Sequence, residues 1–393
     1  MNNASKTAYA FRPDPDDFVV EEVLNLEPGL TGDHAVYRAT KKLLTTPELQ
    51  RLVATELGKP PRTVTFPALK DKRAVTSQHF SISGRGPTSL KGRGFDAIYV
   101  GRVTRPLGPH DLAGNRFTIT LRSLTEDRIE RVSAALRDAA TIGLPNYFDE
   151  QRFASYTPGG PFIGKAVLQR DAEGALKAYM AHIAAGDLPP IRKFKSFVME
   201  HWGDWNAILD QAPQSNYRSI LTFLKQHPRD FRKAINLITP GLVPVLLAAY
   251  QSYLWNRMAS RVLARKIRGS ANKLGHIAIA GEKLSLYRTL TPESTAMLQR
   301  LTIPLPNHRM VFTDTDARNV MGEVLSEEGL TPDDMKARLM KRAYLTKNMR
   351  RVVMFPADVE VVPSASDRLV VKYTLPPGSY GTLVIKTLLA RAT

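Results

Sequence analysis

The sequence predicts an α+β fold in which a mixed sheet is assembled from both ends of the chain around a mostly helical insertion. Three observations predict it. Stretches rich in β-branched and aromatic residues, alternating with polar ones, crowd the first part of the chain and return after about residue 346. Between about 158 and 268, apolar residues recur mainly at helical spacing. The strands and helices of the first part do not alternate strictly, which argues against a doubly wound sheet. The domains read as 1–157 plus 346–393 for the discontinuous sheet domain and 158–345 for the insertion.

In order, "FVVEEVL" (18–24) reads as a short strand and "GDHAVYRATKK" (32–42) as a second. "TTPELQRLVATELG" reads as a helix: Thr46 caps it, Pro47 suits its first position, Leu49, Leu52, Val53 and Leu57 share an apolar face, and Gly58 ends it. "RTVTF" (62–66) and "SQHFSIS" (77–83) are strands, and the connection between them holds Asp71. Strands near 97–104 and 116–123 lead to a helix from Glu126 to Ala140, with Ile129, Val132, Ala135, Leu136 and Ala139 inward. Glycine and proline in "IGLPNYFDEQRFAS" break it. The clearest helical pattern of the insertion is "VLLAAYQSYLWNRMASRVLARKI" (245–267), and residues 275–320 read as short strands and loops. Thr331, Pro332, Asp333 and Asp334 open one more helix with a basic end, "KRAYLTKNMRR", a polarity the helix dipole favours. The chain closes on three strands, "RVVMFP", "LVVKYTL" and "YGTLVIK".

Charge narrows the function. Lys and Arg number 55 against 37 Asp and Glu, a net charge of +18 that favours a polyanionic partner, nucleic acid above all. The chain has no cysteine, which excludes disulfides, thiolate metal sites and a cysteine nucleophile, and suits a reducing cytoplasm. No apolar run reaches the roughly 18–20 residues of a membrane span. The start, "MNNASKTAYAFRPDPDD", lacks a signal-peptide core and reads as a loose polar tail. No P-loop, dinucleotide fingerprint, HExxH or GxSxG pattern is present, and the eight histidines do not cluster at ligand spacing, which argues against metal, nucleotide and serine-hydrolase chemistry.

Four stretches carry candidate chemistry. In "FPALKDKRAVTSQHFSI" (66–82), Asp71 is the only acid, and Lys70, Lys72 and Arg73 flank it. Such neighbours keep a carboxylate ionised and draw a phosphate backbone toward it, where it can act as nucleophile or base. "PNYFDEQRF" (145–153) offers Asn146, two aromatics and Arg152, the residue types that hold an unpaired base, or else a turn with two core aromatics. "LPPGSYGTLVIK" (375–386) is a turn followed by a strand bearing Lys386. Arg257, Arg261 and Arg265 recur every four residues and share a helix face, which is either solvated or turned to phosphates.

Taken in order, these stretches resemble the TruD family of tRNA pseudouridine synthases. The family's F-x-V-x-E strand is matched by Phe18, Val20 and Glu22, its G-[DE]-H segment by Gly32, Asp33 and His34, and its K-D-[KR]-x-A-V-T-x-Q signature by "ALKDKRAVTSQ" (68–78). Its N-Y-F-G-x-Q-R-F-G motif is matched by "NYFDEQRFA" (146–154), the insertion carries the family-like "AYQSYLWN" (249–256), and L-P-x-G-S-[YF]-A-T is matched by "LPPGSYGT" (375–382). The resemblance implies a pseudouridine synthase core with an inserted helical TRUD domain and RNA bound in the cleft between them. It implies cofactor-free isomerisation of a flipped-out uridine in tRNA, usually uridine 13. A monomer in the cytoplasm is the expectation for the chain itself. Asp71 takes the catalytic position. Lys70, Asn146, Phe148, Arg152, Glu22 and Lys386 take substrate-binding positions, with Phe148 stacking on the base and Lys386 pairing with Asp71. Arg257 and Arg261 are expected to contact the RNA backbone.

The sequence departs from the family pattern at Asp149 and Ala154, where the motif has glycine, at Gly381, where it has alanine, and at Lys386, where it has arginine. Lysine offers a point charge in place of a bidentate fork. A catalytically idle tRNA-binding or RNA-remodelling protein on the same scaffold is the alternative, and a base-releasing glycosylase a third.

Overall fold

A nine-stranded mixed sheet organises the first of two units into which the chain divides. The computed structural model describes residues 14–153, 156–184, 186–267, 274–365 and 367–392. The first unit takes the described residues up to Gly143, Met354–Gly381 and those from Arg391, and the second takes Leu144–Val353 and Thr382–Ala390.

The strands of the sheet are β1 (Phe18–Leu24), β2 (His34–Lys42), β3 (Val64–Thr65), β4 (Val75–Ser83), β5 (Ser89–Gly92), β6 (Phe95–Val103), β7 (Leu112–Leu121), β8 (Ala357–Ala365) and β9 (Arg368–Leu375). They run β8-β9-β7-β1-β4-β2-β6-β5, with β3 paired to β4. The β1–β4 pair is parallel, and the other pairs are antiparallel. β9 lies along β7 from Leu369 opposite Leu121 to Leu375 opposite Asn115, so the sheet draws on both ends of the chain.

Helix α1 (Thr46–Glu56) follows β2, and its Leu49, Val53 and Ala54 join Tyr37, Ala39, Phe80, Ile82 and Phe95 in one buried cluster. Each such large side chain contributes about 1.5–3 kcal/mol by leaving water. Thr45 caps this helix, one residue before the expected Thr46. Its hydroxyl accepts from the Glu48 amide, and its own amide donates to the Glu48 carboxylate at 2.7 Å. That bond, with help from Lys72, holds Glu48 down to about 2. Thr46 instead points inward, 3% exposed, accepting from the Lys70 amide at 2.9 Å. Helix α2 (Glu126–Ile142) buries Val132, Leu136 and Ala139 and stops at Gly143, whose φ of +72° favours a residue without Cβ.

The second unit is built on the helix Val243–Lys266, which buries Tyr250, Leu254, Trp255, Met258 and Val262. Three expectations fail here and at the chain's end. Residues 275–320 contain a hairpin (Leu274–Ile279 with Glu282–Tyr287) but also two helices, Pro292–Arg300 and Thr315–Glu327, capped by Thr291 and Asp314. The helix expected from Thr331 is only a 3-10 turn, Asp334–Lys336, closed by Ala337 at φ +51°. The Asp334 carboxylate accepts from the Thr331 amide at 2.8 Å and its hydroxyl at 2.7 Å, local bonds that compete with a helix. "YGTLVIK" belongs to a helix, Gly381–Arg391, rather than a strand. Among the described residues no helix is long and apolar enough to cross a membrane.

Candidate active site

Asp71 stands exposed in the connection from β3 to β4, with Lys72 and Arg73 exposed beside it. Lys70 is turned the other way. Its ammonium lies 2.8 Å from Glu22 Oε1, and the two side chains are 6% and 0% exposed. The second Glu22 oxygen accepts from the His79 amide on β4 at 2.6 Å. Glu22 sits on β1, so one buried carboxylate ties together β1, its parallel neighbour β4 and the residue just before Asp71. Lys70 and Glu22 were expected at the substrate; here they are buried on each other. A carboxylate inside a sheet is costly without a partner, and the nearest ammonium is drawn to it. Of the outward cations, Lys72 reaches Glu48 at 3.2 Å.

A second lysine, missed in the sequence, lies behind the same loop. Lys41 on β2 is 1% exposed. Its ammonium donates to the carbonyl of Leu44 at 2.7 Å, the carbonyl of Asp71 at 2.9 Å and the hydroxyl of Thr76 at 3.0 Å. Its signal in the sequence is a lysine at an inward position of an alternating strand, hidden by the second lysine that follows it.

In the second unit, Asn146, Phe148 and Arg152 are brought together around a residue that sequence reasoning read as a helix tail, Arg350. The Asn146 amide group donates to the Arg351 carbonyl at 3.1 Å, and its side-chain oxygen accepts from Arg350 at 2.9 Å. Both main-chain groups of Phe148 are held by the Asn256 side chain at 2.8 Å. The Phe148 ring is 8% exposed, meets Trp255 edge to face at 5.6 Å, and carries the guanidiniums of Arg350 and Arg152 at 4.1 and 5.5 Å from its centre. Arg152 also donates to the Ser252 hydroxyl at 3.0 Å.

Lys386 lies on the final helix, and its ammonium is 2.5 Å from Asp149 Oδ1. Thr382, one helical turn earlier, donates to Asp149 Oδ2 at 2.5 Å. Asp149 is 2% exposed. Two departures from the family pattern, an acid in place of glycine and a lysine in place of arginine, therefore form one ion pair. A third departure also has a steric counterpart. A Cβ on Gly381 would fall 2.6 Å from ring carbons of Phe117, a contact that requires the ring to move. Ala154, the fourth, lies outside the described residues.

Arg257, Arg261 and Arg265 share one face, as their spacing predicts, but that face meets the helix Thr315–Glu327 and the residue after it. Arg257 pairs with Glu327 at 2.6 Å and with Glu328, Arg261 with Glu327 at 2.5 Å, and Arg265 with Glu323 at 2.7 Å. Arg257 and Arg261, expected at a phosphate backbone, are here paired with carboxylates. A row of acids at matching spacing neutralises them, and that row lies on a helix the sequence reading did not find. Among the described residues, no group of three or more histidine, aspartate or glutamate side chains is arranged to hold a metal ion.

Known proteins give the same reading over almost the whole chain. The profile of the family described as tRNA pseudouridine synthase D (TruD) matches residues 2–388. The protein assigned as tRNA pseudouridine synthase D in Methanopyrus kandleri is 30% identical over 367 residues, covering 92% of this chain and 86% of its own. The tRNA pseudouridine synthase D of Aquifex aeolicus is 27% identical over 383 residues, covering 95% and 96%. A solved structure assigned as TruD from Methanosarcina mazei superposes with a TM-score of 0.71, covering 96% of this chain and 93% of that one at 23% identity, a likeness of fold.

Proposed function

The chain belongs to the TruD family of tRNA pseudouridine synthases, and we propose that it converts uridine to pseudouridine in tRNA, at uridine 13, with Asp71 as its catalytic residue. In that reaction the bond from ribose C1′ to uracil N1 breaks and a bond from C1′ to C5 forms. C5 gives up its proton and N1 takes one, so no oxidant or reductant is consumed. The base must leave its stack to expose both carbons. Asp71 serves as nucleophile or as base. The observation that carries this reading is an exposed carboxylate on a loop whose main chain is fastened to the sheet, with Lys72 and Arg73 beside it to receive phosphates.

The remaining residues take graded roles in this proposal. Phe148 supplies the aromatic face for the base, backed by Arg350, with Arg152 alongside. Asn146 fixes Arg350, Lys386 acts from its pair with Asp149, and Lys70 and Glu22 hold the catalytic loop. The enzyme works as a cytoplasmic monomer without cofactor.

The test is single-turnover release of tritium from tRNA labelled at uridine C5, run beside filter binding. Asparagine keeps the shape of Asp71 but is a poor nucleophile and no base at neutral pH. Asp71→Asn should therefore abolish release and leave binding intact, since removing a negative charge does not hinder a polyanion. A wild-type rate in Asp71→Asn ends the catalytic reading, and free uracil from the wild type points to a glycosylase.

A further inference from the structure

The buried Lys41 has no part in the reaction just proposed, yet it touches the main chain of Asp71. Its ammonium has three N–H bonds and three acceptors, the carbonyls of Leu44 and Asp71 and the Thr76 hydroxyl, at 2.7, 2.9 and 3.0 Å. Lys41 and Thr76 are also directly opposite each other across the β2–β4 pair, so the lysine hangs the loop on two paired strands of the sheet. None of the three acceptors is ionised. A lysine 1% exposed whose three hydrogen-bond acceptors are neutral is a costly choice where methionine or leucine would fill the space.

We propose that Lys41 is the positioning residue of the site: it pins the Asp71 peptide and holds a positive charge behind the catalytic carboxylate. This rests on the reading of Asp71 as catalyst. Burial pushes the Lys41 ammonium down to about 8, opposed first by Asp71, with Lys70 lowering it further and Glu22 and Glu48 raising it. The neutral amine keeps only two donors and no charge. Turnover therefore carries an alkaline limb, while tRNA binding, set by exposed phosphate contacts, does not.

The stability sign is opposite. Unfolded, Lys41 keeps its proton to about 10.4, whereas folded it releases it at about 8. Between those values the unfolded chain binds more protons, so this group's contribution to stability rises with pH. A positioning lysine thus predicts activity falling where its own stability term improves, a divergence that a purely structural lysine does not produce.

The experiment is a pH–rate profile from 6 to 9.5 for the wild type, Lys41→Met and Thr76→Val, with urea midpoints and tRNA affinity at each pH. Wild-type turnover should fall tenfold per pH unit above about 8. Lys41→Met should lose on the order of 100-fold in kcat, bind tRNA as before, and show no limb at 8. Thr76→Val, which removes one acceptor from the charged form, should move the limb to lower pH. Full kcat in Lys41→Met, or a limb unmoved in Thr76→Val, overturns the proposal; the second variant decides if the first does not fold. Amide exchange at residues 70–73, faster in Lys41→Met at equal global stability, reads the pinning without activity. An inactive wild type would sink the reading of Asp71, while unchanged exchange would sink Lys41 separately.

Discussion

Asp71 and Asp149 have opposite surroundings in this chain. Asp71 is exposed on a loop whose carbonyl is fastened from behind by Lys41. Asp149 is 2% exposed, with Lys386 on one oxygen and Thr382 on the other. In the first the main chain is committed and the residue is exposed. In the second the side chain itself is committed and orders the helix that approaches it. A catalytic carboxylate needs the first arrangement, because it must be held still and remain accessible.

The comparison breaks most visibly at the two acids themselves. Asp71→Asn should remove activity beyond detection while shifting stability by no more than about 0.5 kcal/mol, the range of surface changes. Asp149→Asn should do the reverse, lowering the urea midpoint while retaining measurable turnover. Exchanged outcomes would mean the assignment is inverted.

Next in size is the same contrast drawn among the cations. Arg257→Ala removes one partner of Glu328, 9% exposed, which keeps Lys165 and the Tyr250 hydroxyl at 2.8 Å, so the cost falls below the about 3–5 kcal/mol of a buried pair broken outright. The dependence of tRNA binding on salt should not change. Arg73, exposed beside Asp71, should behave oppositely: Arg73→Ala is expected to reduce the salt slope by about one unit at unchanged stability. A flattened slope in Arg257→Ala would return that arginine to the RNA.

The pair built from two departures sharpens the comparison further. Asp149→Gly and Lys386→Arg each disturb it alone, by about 1–3 kcal/mol for a hydrogen-bonded group left unmatched. Made together they restore the family pattern, so the double variant should lose less than the sum, with a coupling of about 0.5–3 kcal/mol in a thermodynamic cycle. Strict additivity would separate the two positions. Smallest and most local is Gly381→Ala. The new methyl meets Phe117, and overpacking of this kind typically costs about 1–3 kcal/mol. Phe117→Leu in the same chain should recover part of it, as read by thermal unfolding.

Much of the fold is legible in the sequence because one physical signal dominates locally. The strand Phe18–Leu24 was found to the residue, since β-branched side chains alternate over a run bounded by polar turns. Where signals compete, reading fails. "GTLVIK" is apolar and β-branched, as strands are, but its Leu383, Val384, Ile385 and Leu388 are buried on a helix that follows a proline–glycine turn. A short apolar run does not distinguish the two by period. At Thr331 the acids that look like an N-terminal cap close a turn instead. Asp71 was legible at the site because a single acid among cations is a chemical anomaly visible in one dimension. Lys41, Arg350 and the pairing of Asp149 with Lys386 were not, because their meaning lies in partners far along the chain.

That the sheet draws on both ends of the chain also has a meaning for synthesis. β7 is complete at Leu121, yet the strand that covers its far edge begins only at Arg368. At about 5–20 residues per second, a ribosome takes roughly 10–50 s to make what lies between. For that interval β7 is an unpaired edge, able to recruit any extended segment, including one from a neighbouring nascent chain. The ribosome must therefore make Leu144–Val353 of the second unit before the first can close, and the growing chain depends on its own tail, or on a chaperone, to keep that edge from finding the wrong strand.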